Sequence, residues 1–164
     1  MPINSRLLQF LTRCGARYTV YPHDEAFAAL RRAETHAHHM PELARAVAWL
    51  DPDGACVLAV MPASAEPIAD RISELAGYTG ARAASPAELR ARFPDCEVGT
   101  MPPFGHLYGC ATLMDPCLLE ADRIYFQAGN RREVVGMWRD DFDHLALPQR
   151  ARTCLHEEFA HAAV

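Results

Sequence analysis

Hydrophobic positions at helical spacing open the chain: Leu7, Phe10, Leu11 and Cys14 share one face, and Gly15 supplies a stop. Tyr18 to Tyr21 then reads as a short strand. Residues 25–38 are alanine-rich with few breakers and predict a second helix. Two apolar runs, Arg45 to Leu50 and Ala55 to Met61, flank Asp51-Pro52-Asp53-Gly54, the pattern of a β-hairpin. Ile68, Ile72 and Leu75 make the apolar face of a third helix. Ser85-Pro86-Ala87-Glu88 combines an N-cap, a proline at the first helical position and a capping-box glutamate, which predicts a fourth helix over 86–93.

The periodicity then breaks. In Val98-Gly99-Thr100-Met101-Pro102-Pro103-Phe104-Gly105 two prolines between two glycines remove backbone donors and fix φ, so neither helix nor regular strand fits and a shaped loop is expected. Three runs rich in β-branched and aromatic residues follow, 110–114, 123–128 and 133–139, with Gly129-Asn130 as a turn between the last two. Asp140 to Leu145 suits a short last helix, and 149–164, poor in large apolar residues, reads as a C-terminal extension to one domain over 1–148. The expected fold class is α/β (α+β): a twisted, barrel-like mixed sheet surrounded by helices.

Composition narrows the function classes. With 164 residues, half of them hydrophobic, the chain fills one core and leaves little for a second domain. All 16 basic residues are arginine, and a net charge of -5 argues against gripping nucleic acid by a broad basic surface; any RNA contact should be local. No stretch approaches the roughly 18 apolar residues of a membrane span and no leader pattern stands at the N-terminus, so a cytoplasmic location is expected. Six cysteines without a C-x-x-C pair indicate reduced thiols rather than a zinc ribbon or disulfide framework. His156 and His161 are five apart, where a zinc-peptidase helix needs four, and no carboxylate or cysteine pattern completes His36-Ala37-His38-His39. Neither a Walker loop nor a dinucleotide-binding glycine motif is present, so neither metal nor organic cofactor is expected.

The run Phe93-Pro94-Asp95-Cys96-Glu97-Val98-Gly99-Thr100-Met101-Pro102-Pro103-Phe104-Gly105, continued by Leu107-Tyr108-Gly109, Asp115, Ile124 to Gly129, Arg132-Glu133 and Asp141-Phe142, resembles the signature of YbaK/EbsC-like proteins. These are free-standing relatives of the prolyl-tRNA synthetase editing domain. Leu43-Ala44-Arg45 and Val57 to Ala63 extend the likeness upstream, so that it covers roughly residues 18–148. The resemblance implies hydrolysis of the ester that joins a wrong amino acid to tRNA, with the aminoacylated acceptor end, and an aminoacyl-tRNA synthetase, as partners. It also implies that the G-x-x-x-P segment from Gly99 holds the terminal adenosine and aminoacyl group, placing Gly99, Thr100 and Met101 beside the scissile bond and Pro102, Pro103, Phe104 and Gly105 around the substrate.

Two departures bear on the chemistry. Arg45 stands where most relatives have lysine, and Arg131 stands where Gln127-Ala128-Gly129-Asn130-Arg131 replaces a common Asn-Ala-Gly-Thr-His. Arginine keeps the charge and offers a forked donor but transfers protons poorly, so Arg45 suits anchoring better than lysine-specific chemistry. A base near working pH would come from His23, after Val20-Tyr21-Pro22, or from His106 beside the loop. Asp115 matches a family aspartate that could fix the loop, and Gly129 and Arg131 are expected with it among the substrate-binding residues. Two readings follow: a trans-editing hydrolase that clears alanine, serine or cysteine from tRNA, or a catalytically weakened member that binds an aminoacyl-adenosine-like ligand or a protein.

Overall fold

The computed structural model describes residues 4–22, 24, 43–63, 65–77, 80–150 and 154–155. The helix expected over 25–38 and both histidine clusters lie outside them.

Helix α1 (Ser5–Arg13) starts where Asn4 accepts a hydrogen bond from the Leu7 amide, and it buries Leu7 and Leu11. Strands β1 (Thr19–Pro22), β2 (Leu43–Leu50) and β3 (Cys56–Pro62) follow. The β2–β3 hairpin turns at the expected tetrapeptide, because the Asp51 carboxylate accepts from the Ala55 amide at 2.8 Å while Gly54 takes φ +87°. Then come β4 (Glu66–Pro67), α2 (Ala69–Ala76), β5 (Arg82–Ala83) and α3 (Pro86–Arg92). The capping box at Ser85 and Glu88 is formed in full. A 3₁₀ turn (Gly105–Tyr108), β6 (Ala111–Met114), a second 3₁₀ turn (Pro116–Glu120), β7 (Arg123–Gln127), β8 (Glu133–Trp138) and α4 (Arg139–Ala146) complete the body. β9 (Gln149–Arg150) and β10 (Cys154–Leu155) lie in the segment read from sequence as an extension; they pair with β6 and β4, so backbone hydrogen bonds tie these residues into the fold.

The sheet is mixed, in the order β1-β8-β7-β2-β3-β6-β9, with β5 added to β2. β2 runs antiparallel to β3 and parallel to β7, and β3 runs parallel to β6. Every residue of β3 is buried, as a central strand covered on both faces requires. One face carries Ala44, Ala46, Ala48, Leu58, Val60, Ile124, Phe126 and Val135 under α1, α4 and the loop after α3. The opposite face carries Trp49, Val57, Ala59, Met61 and Leu113 against Ile72 of α2. A smaller cluster on that side holds Tyr125 and Val134, with Tyr21 and Leu43 beside them.

This register brings four strand ends to one level. Leu43 and Ala44 pair with Tyr125 and Phe126, so the next step sets Arg45 beside Gln127; Arg45 pairs with Met61, and Val60 with Met114, which sets Asp115 at the same edge.

Candidate functional site

The loop after α3 is held by backbone hydrogen bonds to the β7–β8 turn. The Glu97 amide donates to the Gly129 carbonyl at 2.9 Å, and the Gly129 amide donates to the Thr100 carbonyl at 2.8 Å, so both backbone groups of Gly129 are engaged in fixing residues 97–100. Gly129 has φ +96°, and a β-carbon there would lie 2.9 Å from that of Asn4, which leaves room for no side chain. Asn4 supports the arrangement from below: its amide donates to the Ala128 carbonyl, and its side-chain nitrogen donates to the Asp95 carbonyl at 2.8 Å.

Thr100 is buried, and both its amide and its hydroxyl donate to the Glu97 carbonyl, at 3.1 and 2.7 Å. The hydroxyl therefore shapes the turn and is not presented to a ligand. Gly99 takes φ +85° and is exposed. Among the described residues, nothing accepts a hydrogen bond from the amides of Val98, Gly99 or Met101. Arg131 closes the loop from outside, donating to the Glu97 carboxylate at 3.1 Å and to the Val98 carbonyl.

Pro102, Pro103, Phe104 and Gly105, expected around a substrate, are all buried. Phe104 makes ring contacts with Phe10, Phe126 and Phe142. A β-carbon on Gly105 would meet the Cys110 carbonyl and the Thr112 hydroxyl at 2.6 Å. These four residues act as the root of the loop in the core, because an aromatic side chain between two packed turns gains more from burial than from solvent contact. The Met101 side chain joins the same core.

Arg45 shares the strand-end level with the loop, about 8–10 Å from Gly129 by strand spacing and rise, but its place in the alternation of β2 puts it on the sheet face opposite to Met101 and Phe104. It donates to the Ala65 carbonyl at 2.7 Å, and its buried Nε has no hydrogen-bond partner among the described residues. Asp115 is buried beyond β6, accepts from the Cys117 amide at 2.9 Å and donates its own amide to the Val60 carbonyl, so it starts the second 3₁₀ turn. His106 packs edge-on to Phe10 at 4.9 Å on the wall of a cavity whose lining does not include Gly99, and partial burial of this largely exposed side chain holds its imidazole below the ordinary value. His23 is outside the described residues. The structure thus joins Gly99, Thr100, Gly129 and Arg131, places Arg45 and Asp115 along the same edge, and separates His106.

Two positioning residues were not singled out from sequence. Glu97 receives both the Arg131 guanidinium and the Arg131 amide, the latter at 3.2 Å. Asn4 could have been found as an asparagine directly before a helical apolar pattern, though its reach to residues 95 and 128 could not.

The aminoacyl-tRNA editing domain family matches residues 24–145. No curated protein matches the sequence. Among solved structures, the hypothetical protein APE2540 superposes with a TM-score of 0.75 at 18% identity, over 92% of this chain and 99% of its own. A protein proposed as a trans-editing enzyme for prolyl tRNA synthetase superposes with a TM-score of 0.72 at 18% identity, over 95% of this chain and 99% of its own. At such identity the likeness is one of fold. No helix among the described residues is long and apolar enough to cross a membrane.

Proposed function

Since this chain belongs to the aminoacyl-tRNA editing domain family, we propose that it is a trans-editing deacylase that hydrolyses the ester of a tRNA mischarged with a small amino acid such as alanine, serine or cysteine. Water adds to the ester carbonyl and the tRNA ribose oxygen leaves with a proton, giving free amino acid and uncharged tRNA. The barrier lies in the negative charge that builds on the carbonyl oxygen, so donors fixed before the reaction carry most of the catalysis.

The observation that carries this reading is the exposed Gly99 turn, whose amides at Val98, Gly99 and Met101 have no acceptor among the described residues while Glu97, Gly129 and Arg131 immobilise it. Gly99 and Met101 donate to the oxyanion; Arg45, held by the Ala65 carbonyl, anchors a phosphate or carbonyl oxygen of the acceptor end through its remaining donors. The free amino group of the aminoacyl ester can itself assist the water, which suits a site where arginines stand at both departures from the family pattern.

A second reading, a module that binds the aminoacylated end without cleaving it, draws on the same two arginines: Arg131 is committed to Glu97 and Val98, and Arg45 to Ala65. Incubation with Ala-, Ser- and Cys-tRNA separates the two. Amino-acid release above the spontaneous rate supports hydrolysis; protection of the ester from spontaneous loss supports binding alone.

A further inference from the structure

Two cysteines away from the Gly99 turn stand side by side. Cys56 opens β3 and Cys110 directly precedes β6, whose first residue Ala111 is level with Val57. One step back in that parallel register sets Cys56 beside Cys110, and neighbouring strands lie about 4.8 Å apart, within the roughly 4.4–6.8 Å between α-carbons that a disulfide spans. Both side chains are buried in the same cluster, so both point to the same face of the sheet. Cys110 also lines an open cavity of about 450 Å³ with Phe10, Cys14, His106, Thr112 and His144.

We propose that Cys56 and Cys110 form a redox-active thiol pair, oxidised by hydroperoxides to a disulfide, with Cys110 as the attacking sulfur and Cys56 as the resolving one. The Cys110 thiolate attacks one peroxide oxygen, the O–O bond breaks, and the other oxygen leaves as alcohol, or as water from hydrogen peroxide. Cys56 then attacks the resulting sulfenic acid; the S–S bond forms, the S–OH bond breaks, and hydroxide departs with the Cys56 proton as water. Two thiols lose two electrons in total and one peroxide gains them.

The assignment of roles follows from position: Cys110 lines the cavity and Cys56 does not. The neighbouring Cys110, together with burial, raises the pKa of Cys56 and makes it hold its proton. The neighbouring Cys56, aided by the charge of Arg92, lowers that of Cys110 against the effect of burial. Cys96 is the opposite case: burial pushes its thiol up to about 11, which keeps it protonated and slow. Because the strands are already neighbours, closing the bond needs no change of register. It would tie β3 to the foot of the Gly99 loop, since the Cys110 amide donates to the Gly105 carbonyl at 2.9 Å. The proposal is independent of the deacylase reading.

The test is peptide mapping of the native, fully reduced protein after brief exposure to hydrogen peroxide, with alkylation of the remaining thiols. The expected result is a linked peptide pair containing Cys56 and Cys110, with two of the six thiols lost. In Cys56→Ser the Cys110 sulfenic acid should persist and be trapped by a 1,3-diketone; in Cys110→Ser neither product should form. Linkage between other cysteines in the native protein, or unchanged thiols under conditions that oxidise a small-molecule dithiol, overturns the proposal, and the native map decides it even if a variant folds poorly.

Discussion

Arg131 binds Glu97 twice: its guanidinium lies 3.1 Å from the carboxylate and its backbone amide 3.2 Å from the same oxygen. The pair is half-exposed on both sides, with 59% and 47% of the side chains accessible, so its direct worth to stability is under about 1 kcal/mol. Its worth to the site is larger, because it fixes the peptide before Gly99. Arg131→Ala should lower the deacylation rate at saturating substrate by on the order of tenfold while shifting the melting temperature little. A variant that melts much earlier, or one that deacylates normally, contradicts this role.

Gly99 and Gly129 both have positive φ, yet they should respond differently to alanine. At Gly129 the new methyl group would lie 2.9 Å from the Asn4 β-carbon, so the strain of a left-handed residue adds to a clash, and Gly129→Ala should cost about 2–4 kcal/mol. At Gly99 the nearest atom is the Arg131 guanidinium at 3.8 Å, so Gly99→Ala should cost only about 1 kcal/mol but impair deacylation. Denaturant melts beside single-turnover assays show whether stability and activity separate in this way.

Asn4 caps α1 and reaches residues 95 and 128. Asn4→Ala leaves the Leu7 amide without its cap and the Asp95 carbonyl without its donor, for an expected loss of about 1–3 kcal/mol in chemical denaturation. Asn4→Asp should restore the cap but not the bond to Asp95, and so fall between.

How much of this was legible in the sequence depends on whether the signal was local. The Asp51-Pro52-Asp53-Gly54 hairpin and the Ser85 capping box were readable because each motif satisfies its own backbone within a few residues. The Gly99 loop was recognisable as irregular and, by resemblance, as a candidate site. Its attachment to Gly129 was not, since that exchange of hydrogen bonds spans some thirty positions and uses backbone atoms that any sequence supplies. Phe104 and Gly105 were read as substrate contacts because they sit in the motif; the structure buries them, as a motif fixes order along the chain but not which side chains turn inward. The 149–150 and 154–155 strands went unread because each is two residues long and has no period to detect.

His106 gives the protein a small acid sensitivity. Partial burial of this largely exposed side chain lowers its folded-state pKa, while the unfolded chain titrates near about 6.5. Between the two values the unfolded state binds the extra proton, so this contribution to stability is full above about 6.5 and is lost as pH falls toward the folded pKa. Melting temperature should therefore drop more steeply between about pH 7.5 and 5.5 in the native protein than in His106→Gln; parallel curves contradict the assignment.

The most direct test of the central claim is amino-acid release from mischarged tRNA by the native protein beside Arg45→Ala and Arg45→Lys. The expected result is release by the native protein, a fall of on the order of a hundredfold in Arg45→Ala from loss of a charged anchor, and partial retention in Arg45→Lys. Release that is indifferent to Arg45→Ala in a folded variant would contradict the place of this arginine in the site, and silence of the native protein across the panel would contradict the deacylase reading itself.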